Sequence, residues 1–288
     1  MKFVGFSLEE GNRYFGRIDG QRFLIGNRVS YLGNKGLMNV KGTAAQKYDR
    51  AEYRPEFGFW ADFIHPTAQA EGALFHTLNT YDRARFTFTF LQMAAHVPNG
   101  DFVTFFRRLL ALPNARDYFP DLRLEAGRIV RVENEGNHIL EDDQQTDGLM
   151  DYLNPTAREV EDTEIIQAAK FVHWAQQDPA HRRLQIEVGI DHFKQKLARY
   201  AQQYDLDGNE DRICLVICDI RHQGRAKSSA ILAALSQPDP LDALLQLGQN
   251  TYPERIRTLR REINRLSQEG RLGQHRYDAA RADFVAIN

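Results

Sequence analysis

The segment EGALFHTLNTYDRARFTFTFLQ, residues 71–92, decides how this chain is interpreted, because two carboxylates flank a run rich in threonine and phenylalanine. Glu71 follows HPTAQA, which predicts a short helix beginning at Pro66, and precedes Gly72, a natural helix terminator. Asp82 lies in NTYDRAR, a polar turn between two extended runs. The pattern predicts a helix end followed by a hairpin. Such a hairpin is either an ordinary turn into a buried strand or the working edge of an active site.

The two carboxylates have surroundings that suit different chemical roles. Apolar neighbours favour the protonated form of a carboxyl group. Around Glu71 the sequence places the aromatic residues Phe57, Phe59, Trp60 and Phe75. Asp82, in its polar turn, is expected to stay ionised. The alternation of FTFTF directs Thr87 and Thr89 to one face, where their hydroxyls could hold a water beside Asp82. Glycoside hydrolysis needs one carboxylic acid and one carboxylate, so the pattern is compatible with that chemistry.

The composition excludes several classes of protein. The chain has 288 residues, enough for one large domain or two small ones, and a net charge of −2 argues against nucleic-acid binding. The N-terminus has no apolar core typical of a secretory signal, and no run approaches the ~20 apolar residues of a membrane-spanning helix. Cys214 and Cys218 lie in the apolar run ICLVICDI and are predicted to be buried free thiols.

Turn and helix signals predict two small β elements in a largely helical chain. Asp19-Gly20 between alternating flanks predicts a hairpin, and a second is expected at 127–141 with its turn near Glu135. The acidic run EDDQQTDG, residues 141–148, is typical of a solvated loop. Apolar periodicity predicts helices over 100–112, 163–177, 182–204, SSAILAAL, PLDALLQL and 253–270. The arginines of the last helix, Arg255, Arg257, Arg260, Arg261 and Arg265, are typical of a solvated face.

Motifs for metals and phosphates are absent from the sequence. DLDGNEDRICLV, residues 205–216, alternates acidic residues, but its glycine is at the fourth position and Val216 replaces the final glutamate of a calcium loop. The nine histidines form no His-Glu-x-x-His pair, and no glycine-rich phosphate loop occurs. We therefore expect neither a metal nor a cofactor.

The order of Glu71-Gly72, a short strand, Asp82 and then Thr87 resembles the phage-type lysozymes. DRARFT also resembles the Asp-Gly-Arg-Gly-Tyr-Thr run of family 46 chitosanases, with the same spacing from aspartate to threonine. The resemblance implies that Glu71 is the general acid, Asp82 the carboxylate that activates water, and Thr87 the residue that positions this water. FTFTFLQ followed by NGDFVTFFRRLL is similar to peptidoglycan-acting prophage proteins, which implies that Gln92 lines the cleft.

The resemblance also implies a fold. We expect a mainly α protein of the α+β class, with a lysozyme-like two-lobed fold in which a small β-hairpin lobe faces a larger helical lobe. Residues 1–50 are predicted to be a β-containing extension. Residues 51–288 would be the catalytic domain, with a hairpin lobe at about 71–92 and a helical lobe at about 100–288.

A second wall of the cleft must come from later residues. CDIRHQGRAKSS, residues 218–229, crowds polar side chains between a buried segment and a helix, and the alternative is a capped helix start with solvated charges. His96 and Asn99 are weaker candidates. The predicted substrate-binding residues are Asn79, Tyr81, Arg85, Thr89, Gln92, Arg221, His222 and Gln223.

These observations predict a glycoside hydrolase acting on a β-1,4-linked amino-sugar polymer, peptidoglycan before chitosan. Without a cleavable signal, such a chain would be made in the cytoplasm and act in the periplasm or cell wall after release or injection. A secretion system or an immunity protein would then be its protein partner. Two alternatives stay open: a glycan-binding protein without catalysis, favoured by Phe88 and Thr89 where the lysozymes have Thr-x-Gly, and an unrelated helical adaptor.

Overall fold

The computed structural model describes residues 1–40, 46–134 and 136–287. About 45% of the chain is helical and 21% is in strands, so the protein is mixed α+β, which confirms the predicted class. The chain forms two compact units. The first consists of Met1–Tyr48 and Ala73–Val188, and the second of Asp49–Gly72 and Gly189–Asn288.

The elements follow one another along the chain in the following order. The strands are β1 Gly5–Glu9, β2 Arg13–Ile18, β3 Gln21–Tyr31, β4 Asn34–Asn39, β5 Leu78–Asn79, β6 Thr87–Phe88, β7 Met93–Ala94, β8 Leu122–Glu125, β9 Arg128–Glu133, β10 Gly136–Ile139, β11 His275–Asp278 and β12 Asp283–Ala286. The helices are α1 Arg50–Phe57, α2 Phe59–Ala70, α3 Asp101–Leu110, α4 Ala115–Tyr118, α5 Asp147–Leu153, α6 Asp162–Gln177, α7 Pro179–Tyr204, α8 Asp211–Gln223, α9 Ser228–Leu235, α10 Pro240–Gln246 and α11 Pro253–Gln268.

The first unit is built on a seven-stranded antiparallel sheet in which β1 to β7 pair in sequence order. The predicted tight turn connects β2 to β3: Ile18 pairs with Gln21, and Asp19 and Gly20 adopt φ angles of 50° and 79°. Asp and Gly tolerate this left-handed conformation, which matches the twist of the flanking strands. The turn predicted at Asp19-Gly20 is confirmed.

The second predicted hairpin is also present. Strands β8, β9 and β10 form a separate three-stranded sheet, with Glu133 opposite Gly136. The predicted turn residue Glu135 lies outside the described residues. Residues 141–146 form a loop, as expected, but Glu141 is not solvated. Its buried carboxylate accepts hydrogen bonds from the Arg107 guanidinium (2.9 Å) and from the Ile129 amide (3.0 Å). The positive charge of Arg107 on α3 compensates the buried charge of Glu141.

The N-terminal strands continue into the strands that follow Glu71, which differs from the predicted boundary at residue 50. Met38 of β4 pairs with Asn79 of β5, and Asn39 pairs with Leu78. Strands β5 to β7 therefore extend an existing sheet, and the strand content exceeds the two small β elements that turn signals predicted. Backbone pairing between strands so far apart in sequence, with α1 and α2 between them, is set by tertiary contacts, which local patterns do not record.

The run FTFTF does not form one alternating strand. Strand β6 ends at Phe88, and Thr89 adopts a φ of 87°, outside the range of an extended chain. Phe86, Phe88, Phe90 and Thr89 are fully buried, and Thr87 is 6% exposed. The run therefore does not continue as one strand with rings and hydroxyls on opposite faces, because the strand ends at Phe88.

Aromatic residues form the core of the first unit. Phe171 of α6 lies at its centre, with neighbouring ring centroids 5.0–5.9 Å away. These neighbours, Phe86, Phe88, Phe102, Phe106 and Phe119, come from the sheet, from α3 and from the segment after α4. Burial of rings of this size supplies most of the stabilisation of such a unit, since each removes a large apolar area from water.

The second unit contains α1, α2, α8 to α11, the hairpin β11–β12 and the C-terminal part of α7. Helix α2 begins at Phe59, well before the predicted start at Pro66, which lies inside the helix. Phe284 of β12 packs on Phe59 and Phe63 with centroid distances of 5.1 Å. Both cysteines are buried and free, as predicted. No helix among the described residues is long and apolar enough to span a membrane.

A substitution at Gly36 tests how tightly β4 packs on the turn that follows β5. A Cβ atom at Gly36 would lie 2.6 Å from Thr80 Oγ1 and 2.8 Å from the backbone nitrogen of Tyr81. We expect Gly36→Ala to lower the free energy of unfolding by about 1–3 kcal/mol, because backbone atoms would have to move. Gly5→Ala is the control, since its nearest neighbouring atom would be 3.9 Å away. Thermal unfolding followed by circular dichroism measures both; equal melting temperatures would contradict the close packing.

Candidate functional site

Glu71, the predicted general acid, lies at the C-terminal end of α2 in the second unit. Its amide donates to the carbonyl oxygens of Thr67 and Ala68 at 3.1 and 3.2 Å, which fixes the backbone of the helix end. Its side chain is only 9% exposed, and one carboxylate oxygen accepts a hydrogen bond from Arg255 Nη1 at 2.5 Å. Glu71 is therefore a largely buried, ion-paired group.

The aromatic residues expected around Glu71 do not surround it within the second unit. Phe59 and Trp60 occupy the first turn of α2, about 16 Å along the helix axis from its last residue. Phe75 belongs to the first unit, where it contacts Phe90. Within the second unit, the Glu71 carboxylate contacts Arg255 of α11 and His222 of α8, so it has ionic partners in addition to any apolar neighbours.

Arg255 connects Glu71 to a second, fully buried carboxylate. Its Nη2 donates to Asp219 Oδ1 at 2.7 Å, and its Nε donates to Asp219 Oδ2 at 3.3 Å. Arg225 also donates to Asp219 Oδ2, and its Nε donates to the Leu247 carbonyl at 3.0 Å. Two guanidinium groups and two carboxylates thus alternate in the order Glu71, Arg255, Asp219, Arg225. We call these four residues the ionic chain.

The ionic chain is stable because its charges compensate one another away from water. Burial opposes ionisation of Asp219, but Arg255 and Arg225 outweigh this cost and hold its pKa below 3.8. Burial also opposes the charge of Arg255, and here Asp219 and Glu71 raise the pKa above its ordinary value. For Arg225 the cost of burial dominates, and its pKa is lowered. Removing any one member would leave an uncompensated charge in the interior.

Two of the three predicted second-wall residues lie next to Glu71. His222 Nε2 is 3.6 Å from a Glu71 carboxylate oxygen, an ion pair whenever the imidazole is protonated. Gln223 Oε1 accepts a hydrogen bond from Arg255 Nη1 at 3.0 Å. Arg221 is exposed, and its guanidinium lies 5.8 Å from the Tyr200 ring centroid. Segments 148 residues apart in sequence, at Glu71 and at Asp219, therefore meet in one place.

Arg255 is the residue of the candidate site that sequence reasoning missed. The prediction of a solvated arginine face is confirmed for Arg257, Arg261 and Arg265 and wrong for Arg255, which is buried. A signal was available: Arg255 precedes Leu259 by four positions and so lies on the same helix face as the apolar stripe. A cation inside an apolar stripe indicates a buried partner, because its charge must be compensated.

Asp82, the predicted water-activating carboxylate, lies in the turn between β5 and β6 of the first unit. Its Oδ2 accepts a hydrogen bond from Asn79 Nδ2 at 2.9 Å, and its Oδ1 accepts one from the Ala84 amide at 2.8 Å. The Asn79 carbonyl oxygen Oδ1 in turn accepts from the Tyr81 amide at 3.1 Å. Asp82 itself is half-buried, so the carboxylate is oriented by the turn and still reached by solvent.

Asn154 closes this turn from the other side. Its fully buried amide group donates to the carbonyl oxygens of Thr80 (3.0 Å) and Arg85 (2.9 Å), the residues at the two ends of the turn. Arg85, predicted to bind substrate, donates to Asp151 at 2.8 Å and to the Pro155 carbonyl at 2.9 Å. The guanidinium of Arg85 is thereby directed to the segment after α5 and helps to hold the turn.

The remaining predicted residues of the first unit are less accessible. Thr87 pairs with Asn79 across β5 and β6 and is 6% exposed. Thr89 is fully buried, and its hydroxyl accepts from the Leu91 amide at 3.3 Å. Gln92 is half-buried with a φ of 54°. Burial lowers the pKa of His96, assisted by Arg83 and opposed by Asp82, which places this imidazole near the turn.

Glu164 is a buried carboxyl group that the sequence did not single out. It lies in the first turn of α6, is fully buried, and accepts a hydrogen bond from the Thr80 hydroxyl at the start of the Asp82 turn. Burial raises the pKa of Glu164 to about 7, although hydrogen bonds from Thr80 and Leu37 oppose the shift. Among residues 1–40, 46–134 and 136–287, no group of His, Cys, Asp and Glu side chains could hold a metal ion.

The structure thus assembles two sets of predicted residues, one in each unit. Asn79, Tyr81, Asp82, Arg85 and Thr87 gather around the β5–β6 turn, and Glu71, His222 and Gln223 gather at Arg255. Comparison with known proteins adds no assignment. No protein-family model, curated protein or solved structure matches the chain.

Asp219→Asn tests the ionic chain. The substitution preserves shape but leaves the buried charges of Arg225 and Arg255 without their shared anion. We expect a loss of about 3–5 kcal/mol in the free energy of unfolding at neutral pH, measured by urea denaturation. Because the pKa of Asp219 is lowered in the folded state, its contribution is present above pH 3.8 and disappears as the pH falls through the folded value.

The control for this prediction is Asp242→Asn, which breaks the solvent-accessible ion pair with Arg260 and should cost much less stability, because water screens that pair. Similar losses for both variants would mean that the ionic chain contributes no more than a surface pair.

Glu164→Gln tests the buried carboxyl group. Since the pKa of Glu164 is raised from 4.5 to about 7, the folded state holds the proton more tightly than the unfolded chain. Stability should therefore fall by on the order of 3 kcal/mol between these two pH values and then level off. Unfolding of the variant should lack this slope, whereas the exposed control Asp162→Asn should retain it. Parallel pH profiles for Glu164→Gln and wild type would contradict the shift.

Proposed function

We propose that this protein is a glycoside hydrolase that cleaves β-1,4 linkages of an amino-sugar polymer, with Glu71 as general acid and Asp82 as the carboxylate that activates water. The observation that carries the proposal is the position of Glu71 in the ionic chain, where its carboxylate pairs with Arg255. Arg255 of α11 and His222 of α8 approach this carboxylate at the end of α2, and Arg255 is itself held by Asp219 and Gln223. An ordinary helix terminus needs no such arrangement.

The surroundings of Glu71 support a role in proton transfer. It lies at the C-terminal end of α2, and its carboxylate accepts a hydrogen bond from Arg255 Nη1. Because Arg255 also serves the buried Asp219, its positive charge is shared between two carboxylates. Arg255 thus holds Glu71 in one orientation while it also pairs with Asp219. His222 Nε2 lies 3.6 Å from the same carboxylate.

The surroundings of Asp82 support the complementary role. Hydrogen bonds from Asn79 and from the Ala84 amide fix the direction of its carboxylate. A carboxylate has about four acceptor sites, so two accepted bonds leave capacity for a water. Thr87, directly opposite Asn79 in the β5–β6 pairing, is the residue that the family resemblance assigns to this water. By the same resemblance the reaction would invert the configuration at the cleaved carbon.

Peptidoglycan is the proposed substrate, which makes the protein a muramidase, and chitosan is the alternative on the same chemistry. A peptidoglycan substrate would place the action in the periplasm or cell wall. A secretion system or an immunity protein would then be the expected partner. The resemblance to phage-type lysozymes and prophage proteins is the basis for preferring peptidoglycan.

One observation favours a second candidate function, a glycan-binding protein without catalysis. Thr87 is 6% exposed, and the Thr89 hydroxyl is buried and bonded to a backbone amide. Neither hydroxyl is freely available to position a water in this conformation. The two candidate functions differ in turnover, and a direct assay separates them.

The test compares wild type, Glu71→Gln and Asp82→Asn on purified peptidoglycan and on chitosan. Both substitutions keep the size and the hydrogen-bonding oxygen of the side chain. We expect each to lower the cleavage rate by at least about 10²–10⁴-fold, because proton transfer to the leaving oxygen or from the water is lost. Glu254→Gln, at an exposed glutamate of α11, is the matched control and should retain full activity.

The outcomes are distinct. If folded wild type cleaves neither polymer, the hydrolase proposal fails, and retained glycan binding would favour the second candidate. If an active wild type is matched by both folded variants, the roles of Glu71 and Asp82 are wrong. Circular dichroism establishes that each variant is folded.

A further inference from the structure

Tyr31 is an exposed aromatic residue beside the Asp82 turn. It ends β3 at the tip of the β3–β4 hairpin and is 59% exposed, and the next residue, Leu32, is 86% exposed. The Tyr31 ring meets the Tyr81 ring edge-on, with a centroid distance of 6.1 Å and an interplanar angle of 66°. Tyr81 directly precedes Asp82 in the chain. Two tyrosine rings from distant segments thus form a pair next to the predicted water-activating carboxylate.

The hairpin that carries Tyr31 is attached firmly to the strand that leads to Asp82. The Leu37 amide donates to Thr80 Oγ1 at 2.6 Å, and the Thr80 amide donates to the Leu37 carbonyl at 3.0 Å. The Lys35 amide, near the tip, donates to the Ala157 carbonyl at 2.7 Å. Gly36 permits this approach because any side chain there would collide with Thr80 and Tyr81. Tyr31 is therefore held at a defined position relative to the turn.

The Tyr81 ring is anchored more deeply than that of Tyr31. Its hydroxyl contacts Met38 Sδ at 3.9 Å, and its ring is half-buried. Tyr81 thus supports the more exposed ring of Tyr31 from one side. Tyr31 and Leu32 together expose apolar surface at the tip of the β3–β4 hairpin, beside the turn that carries Asp82.

The chemistry of the pair fits a pyranose ring. A tyrosine face carries negative quadrupole charge and attracts polarised C–H groups, while its hydroxyl can exchange hydrogen bonds. A β-linked hexopyranose presents C–H groups on its faces and hydroxyls around its rim. Asn79 and Asp82, beside the rings, add an amide and a carboxylate that bind sugar hydroxyls.

We propose that Tyr31 forms a sugar-binding subsite next to Asp82, in which one hexopyranose of a β-1,4-linked amino-sugar chain stacks on its ring. The subsite comes from the N-terminal strands and so belongs to a part of the chain outside the resemblance to the lysozymes. It rests on the proposed function for the identity of the polymer and deepens it, since it adds a residue that selects and orients the glycan.

Binding is measured first, apart from catalysis. The full-length Glu71→Gln protein is titrated with a β-1,4-linked hexamer of N-acetylglucosamine by isothermal calorimetry. Adding Tyr31→Ala should weaken binding about tenfold, the scale of one lost aromatic contact. Tyr31→Trp should restore affinity because it keeps a large flat ring. Phe3→Ala removes an exposed aromatic ring outside β3 and β4 and should leave affinity unchanged.

Turnover provides the second readout. In the otherwise wild-type protein, Tyr31→Ala should raise KM for the soluble hexamer about tenfold and change kcat little, because Tyr31 contacts the bound sugar and not the reacting atoms. A loss in kcat with unchanged KM would overturn the subsite. Equal affinity of the Glu71→Gln protein and its Tyr31→Ala derivative for the hexamer would also overturn the subsite. An equally large loss of affinity in Phe3→Ala would do the same.

These arms separate the two proposals. If wild type cleaves neither polymer but Tyr31→Ala weakens binding, the subsite stands and the hydrolase proposal fails. If wild type cleaves and Tyr31→Ala behaves as wild type, the hydrolase proposal stands and the subsite fails. A wild-type protein that neither binds the hexamer nor cleaves a polymer overturns both, and Tyr31 would then be available as a contact for a protein partner.

Discussion

The charge of Arg255 is the constraint on which the second unit depends. A buried guanidinium must be compensated, and Arg255 is compensated on both sides, by Glu71 at the end of α2 and by Asp219 on α8. These contacts join α2, α8 and α11 through one side chain, and Arg225 extends the pairing to the segment after α8. The same contacts fix the direction of the Glu71 carboxylate. Stability of the unit and orientation of the candidate acid are therefore two consequences of one interaction.

The first unit fixes Asp82 by a different means, hydrogen bonding of the backbone. Asn154 holds the carbonyl oxygens at the two ends of the turn, and Asn79 and the Ala84 amide hold the carboxylate itself. Each of these groups is neutral, so no buried charge has to be compensated around the turn. Glu164 is a buried carboxyl group next to this turn. It accepts a hydrogen bond from Thr80, and burial raises its pKa to about 7. The turn and the N-terminal strands are thereby parts of one packed structure.

Local patterns predicted much of the secondary structure. The turn at Asp19-Gly20 and helix α6 follow from positive-φ residues and from apolar periodicity, both of which act within a few residues. The run FTFTF shows where such reasoning fails. Its alternation is real in the sequence, but Thr89 takes a positive φ and ends the strand. Tertiary context thus overrides the weak local preference of a five-residue run.

The sequence by itself determined the α+β class, the residues that bear charge and the placement of Glu71 at a helix end, since each depends on local chemistry. Only the tertiary structure decided which charges meet. Arg255 was one of five arginines on a predicted helix, and its burial depends on carboxylates 36 and 184 residues away. Tyr31 was one aromatic residue in a strand, and its position beside Asp82 depends on the pairing of β4 with β5. Contacts over such separations are set by the packing of whole elements, because no local spacing specifies which distant side chain will be the partner.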